Sequence, residues 1–237
     1  MDSQSSAETP SSSWLVHQWI VAGIVSAASR FVPVPFVDDL LQDRCRRFTV
    51  ERTLKAHDRG QDLERYRTFF GSDTGCAGGC LAWAARAPLK LVLFPIRKLV
   101  RVVTSVRGVP LEITRMVLLG RTLDRCLSRE SEWDVPRIRR MRAAFEEAFA
   151  RMDFHALQAA MKDVLRGVSG WKDAAIDLAR RMESREQPEE EIESSPEVER
   201  SADGISALLD LPESRALFSE FDRRFDLAME RLDRQAT

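Results

Sequence analysis

Three aspartates lie within six residues, Asp38, Asp39 and Asp43, and three arginines follow at once, Arg44, Arg46 and Arg47. Asp39 and Asp43 are four apart. On a helix that spacing puts two carboxylates on one face, where they can converge on a hard cation such as magnesium, with the arginines placed for phosphate oxygens. The same residues have a plainer use. Aspartate near a helix start is favoured by the exposed amides and the helix dipole, and Asp–Arg pairs three or four apart are ordinary surface ion pairs. A diphosphate site needs a second acidic motif on a facing helix, and the chain carries none. The ion-pairing reading is therefore the expectation, with no metal and no cofactor.

Other reactive types are sparse. Cys76 and Cys80 are four apart, and Cys45, Cys126 or His57 could complete a tetrahedral zinc site. The short paired spacing occurs once only, and cysteine is a commonly buried residue, so buried thiols are expected. His17, His57 and His155 are isolated. Neither a Ser/His/Asp arrangement, an H-E-x-x-H pattern nor a phosphate loop is present, and "GCAGGC" lacks the Lys-Ser/Thr ending such a loop needs. These absences point to a non-catalytic protein. The alternative is a magnesium-dependent enzyme acting on an isoprenoid or lipid diphosphate, because the acidic triplet resembles the Asp-rich motif of prenyl-diphosphate synthases.

The elements around these residues are helical throughout. Trp14 to Arg30 carries no formal charge before Arg30 and reads as an apolar helix, too short to cross a bilayer cleanly and suited to a buried helix or one arm of a hairpin. Pro33 and Pro35 cannot continue it and form a structural turn. An amphipathic helix is expected from Val37 to His57, then a break at 58–61 and a further helix from Asp62 to Phe70. Four glycines in "GSDTGCAGG" interrupt the pattern.

Residues 81–107 read as a basic amphipathic helix. With Arg86 at 0°, Lys90, Arg97 and Arg101 fall within about 60°, while Leu89, Val92, Leu93, Ile96, Leu99, Val100 and Val103 fall between about 220° and 340°. "RGVP" is expected to end it, and a partner helix to run from Leu111 to Leu127. Pro136 to Met152, Phe154 to Val168 and Lys172 to Glu183 read as three more helices. The acidic stretch that follows reads as a flexible linker. Ile205 to Leu232 is a final helical segment broken near Pro212.

The expected fold is all-α, a multi-helix bundle with an apolar helical hairpin and a flexible acidic linker before a C-terminal helix. Its organisation is a disordered N-terminus at 1–13, an apolar and basic region at 14–130, a bundle segment at 131–183, the linker at 184–203 and the C-terminal segment at 204–237. No strand shows period-2 alternation.

Charge is unevenly spread. Formal net charge is only -1, yet Arg86 to Arg129 holds ten basic and two acidic residues, and Glu183 to Asp203 holds nine acidic and two basic. A cationic face beside aliphatics suits an anionic membrane surface, where each basic residue adds about 1 kcal/mol. Trp14, Trp19, Arg86, Lys90, Arg97, Lys98 and Arg101 are the expected membrane-binding residues. A protein partner is the alternative. Nucleic acid fits poorly, because no stacking aromatics are interleaved with the basic residues. Arginine outnumbers lysine 31 to 5 and asparagine is absent, a composition of GC-rich, bacterial genomes. The N-terminus lacks the basic region of a secretory signal. A cytoplasmic protein, peripheral on the inner membrane, is the expectation.

The stretch "VAGIVSAASRFVPVPFVDD", residues 21–39, resembles the helical domain of unknown function found beside some bacterial Era-like GTPases. There an apolar, Ala-rich helix runs into a Pro-x-Pro-Phe turn and an aspartate, the positions of Pro33, Pro35, Phe36 and Asp38 here. The resemblance implies a membrane-associated helical hairpin and no catalytic activity.

Overall fold

The computed structural model describes residues 10–31, 37–71, 108–130, 132–184 and 194–236. Among them every regular element is helical, and the fold is an all-α multi-helix bundle. The helices are α1 (Pro10–Ala28), α2 (Val37–Ala56), α3 (108–129), α4 (Val135–Ala150), α5 (His155–Gly167), α6 (Trp171–Ser184), α7 (Pro196–Leu209) and α8 (Pro212–Ala236), with 3-10 turns at Ser29–Phe31 and Gly60–Phe69.

The apolar helix α1 is the central element. Ile20, Val21, Ala22, Ile24, Val25, Ala27 and Ala28 are all buried, although they point in every direction around the axis. A helix that is apolar all round must be enclosed on all sides, and here α2, α6 and α7 pack against it. The fourth wall is α3. A Cβ on Gly23 would lie 2.8 Å from the Ile113 Cα, so glycine is what lets these two backbones approach. Burying each large aliphatic side chain of α1 contributes roughly 1.5–3 kcal/mol before entropy is counted.

Antiparallel packing of α1 with α2 and α3 is fixed by polar contacts inside this core. The Trp19 indole N–H donates to Thr53 Oγ1 at 3.0 Å. Near the other end of α1, Ser26 Oγ donates to Glu112 Oε1 at 2.9 Å, and Arg30 lies 3.6 Å from the second oxygen. Buried polar groups are tolerated when they find such partners.

Local chemistry explains the helix starts. Asp134 caps α4 by accepting the Arg137 amide at 2.7 Å, with proline in the first turn. Ser195 caps α7, where Pro196, Glu197 and Glu199 fill the first turn. The expected acidic linker therefore ends earlier than its composition suggests, since 196–203 is helical. A proline in the first turn and two carboxylates at the positive end of a helix favour a helix start over a linker. Gly170, with φ of 81°, makes the turn between α5 and α6.

Two further expectations change. Residues 108–110 belong to α3, so the partner helix expected from Leu111 already covers them. The segment Gly60–Phe69 is a 3-10 helix, with Tyr66 and Phe69 buried. A second part of the core forms where α4 packs on α8: Phe145 meets Phe221 edge-on at 5.6 Å and stacks near Phe149 at 5.9 Å.

Candidate functional site

The expected membrane-binding residues separate in the fold. Trp14 is exposed, with the Arg52 guanidinium 6.0 Å from its ring centroid. Trp19, at 2% exposure, is a core residue bonded to Thr53, and it presents nothing at a surface in this fold. Its neighbours Ile20 and Val21 are as deeply buried, because α1 is walled on every side. Arg86, Lys90, Arg97, Lys98 and Arg101 lie outside the described residues, as do Pro33, Pro35, Cys76, Cys80 and residues 185–193 of the acidic linker. Among the described residues no helix is long and apolar enough to cross a membrane.

Of the acidic triplet, Asp43 is engaged locally. Asp43 accepts from Arg46 at 3.1 Å. Burial pushes the Asp43 carboxyl above its usual range, against the pull of Arg46. Among the described residues no group of three His, Cys, Asp or Glu side chains converges as a metal site. Cys45 and Cys126 are free and buried, and burial drives both thiols upward, Cys126 to about 12. The histidines each meet a carboxylate: His17 with Glu199 and His57 with Asp124, both at 2.8 Å, and His155 with Asp153 at 2.6 Å. The first ties α1 to α7, and the second ties the turn after α2 to α3.

A small cleft opens between α2, α3 and α4, lined by Arg46, Arg115 and Arg142 with Glu112 and Glu146 over Phe69 and Phe145. Its charges are matched internally, since Arg46 pairs with Asp43 and Arg115 with Glu146.

No family model, curated protein or solved structure matches this chain.

One charged arrangement was not anticipated from sequence. On α3, Arg121 donates to Asp222 at 2.9 Å, and Arg125 makes a two-pronged contact with Asp226 at 2.8 Å on both arms. Arg129 reaches Asp226 at 3.5 Å. Arg121 and Arg125 also lie over the Phe218 and Phe225 rings, at 5.9 and 5.4 Å. Burial works against the charge on Arg125, and Asp226 and Asp222 outweigh it, so its pKa is raised. The signal available was the matched spacing: basic residues at 121, 125 and 129 and aspartates at 222 and 226, each recurring every fourth residue on one helix face.

Proposed function

We propose that this chain is a non-catalytic helical protein that associates peripherally with an anionic membrane surface, on the cytoplasmic side of a bacterial inner membrane. The observation that supports the reading is the segregation of Arg86, Lys90, Arg97 and Arg101 from the aliphatic residues of the same stretch. A basic face and a broad apolar face on one helix suit the boundary between headgroups and acyl chains. Residues 19–28 of α1 are not part of the membrane contact, because protein already covers them.

Liposome co-sedimentation tests it. Wild type should sediment with vesicles containing phosphatidylserine and not with phosphatidylcholine alone. Changing Arg86, Lys90, Arg97 and Arg101 to Gln should release it. Equal partitioning of wild type and the fourfold variant would sink the proposal.

A second reading is a protein–protein adaptor. It is favoured by Leu40 and Leu111, which are exposed in the first turns of α2 and α3. Both helices start at the end of the bundle where α1 finishes. A stable partner captured by wild type and lost on Leu40→Ser with Leu111→Ser would favour it over the membrane.

A further inference from the structure

We propose that α8 is a built-in anionic competitor for a lipid-binding row on α3, Arg121, Arg125 and Arg129. This rests on the membrane reading above and adds to it a second contact surface and a reason for restraint.

The first observation is register. Arg121 meets Asp222 and Arg125 meets Asp226 with the same sequence offset of 101 residues. Two helices therefore run parallel with charged rows facing each other, and the row on α3 is the end of the basic block that begins at Arg86. What the aspartates offer the arginines is what a phospholipid headgroup offers: paired oxygens for a guanidinium fork.

The second observation is that the seam is imperfectly satisfied. Arg121 Nε, Arg125 Nε and Asp222 Oδ1 are buried and lack a hydrogen-bond partner among the described residues. The last two face each other at 3.8 Å, too far for a hydrogen bond. Unpaired buried polar atoms weaken the contact that holds them. A ligand that satisfies the forks better gains by that difference.

The third observation is access. Arg121, Arg129 and Asp226 are 43%, 61% and 39% exposed along the seam. Exchange of aspartate for headgroup phosphate at this edge needs only side-chain rotation. Helix α8 itself stays in place, since Phe221, Phe225 and Met229 anchor it in the core. An anionic lipid surface is the occupant that fits, because the row is cationic and continues in sequence from the segment assigned to the membrane.

The experiment is vesicle partitioning of full-length protein, with phosphatidylcholine vesicles with or without phosphatidylserine. Asp222→Asn with Asp226→Asn should raise partitioning into phosphatidylserine vesicles by about fivefold or more, the factor that one released arginine supplies. Asp163→Asn with Asp177→Asn makes the same change of net charge at exposed sites on α5 and α6 and should give a smaller rise. Adding Arg121→Gln and Arg125→Gln to the first variant should cancel its gain. Equal gains in the two aspartate variants would overturn the inference while leaving the membrane reading intact. If wild type and every variant ignore phosphatidylserine vesicles, both fall. Should the buried Asp222 change lower thermal stability, Asp226→Asn alone carries the comparison, and no gain there over Asp163→Asn overturns the inference.

Discussion

Gly120 of α3 faces the indole ring of Trp19 so closely that a Cβ in its place would lie 2.3 Å from the ring. The ring cannot retreat easily, because its N–H is held by Thr53 of α2. Glycine here sets the distance between two core helices.

Substitution at this contact should reveal that constraint. Gly120→Ala is expected to destabilise by about 1–3 kcal/mol through overpacking, despite the better helix propensity of alanine. Gly23→Ala, which would press on the Ile113 backbone, should behave alike. Gly167→Ala meets open space and should instead stabilise by up to about 1 kcal/mol. Chemical denaturation of the three variants checks the contrast, and a stable Gly120→Ala would refute the packing argument.

Thr53 is the acceptor for Trp19 and also donates to the Thr49 carbonyl at 2.8 Å. Thr53→Val keeps the shape and leaves a buried indole N–H with no acceptor. The expected loss is about 1–3 kcal/mol. Thr68→Val, at a long 3.5 Å contact with Arg142, should cost less. Equal losses in urea titrations would mean the buried hydrogen bond has no special weight.

Glu220 of α8 accepts from Arg223 and Arg224, and those bonds hold its carboxyl down to about 2 from 4.5. A depressed carboxylate stabilises the fold above its unfolded pKa, and that stabilisation disappears as pH falls through the folded value. The stability difference between wild type and Glu220→Gln should therefore be full near neutrality, shrink below pH 4.5 and vanish near pH 2. A difference that stays constant across that window would contradict the assignment.

The two thiols in the core give a probe of opening. Cys45 and Cys126 are buried, and burial raises both thiols. In a variant with Cys76→Ser and Cys80→Ser, both should resist maleimide at mildly alkaline pH and label only when the protein unfolds. Rapid labelling of the native protein at either position would show that its helix opens locally.

Much of the architecture is legible in the sequence through its punctuation. The α4 start is readable from Pro136, and the α7–α8 break from Leu211-Pro212, because prolines act locally. What escaped was set by neighbours. The charge-free run of α1 fits a lipid layer or a protein interior equally well, and only the walls around it decide. Trp19 looked like an interfacial residue for the same reason, although Thr53, its acceptor, sits on another helix. The start of α7 was hidden by the acidic residues around Ser195, whose capping role depends on one hydroxyl and one amide. The α3–α8 charge rows were present in sequence as two fourfold spacings, and only the fold shows that they face one another.

The enclosure of α1 also bears on how the chain is made. His17 of α1 touches Glu199 of α7 at 2.8 Å, so the wall that α7 provides is synthesised long after α1. Roughly 180 residues separate them, which at ribosomal speed is about 10–40 s. Throughout that interval the apolar helix α1 has left the ribosome with one wall still unmade. A nascent chain of this design needs α2 to pair with α1 early, or a chaperone to hold α1 until the rest arrives.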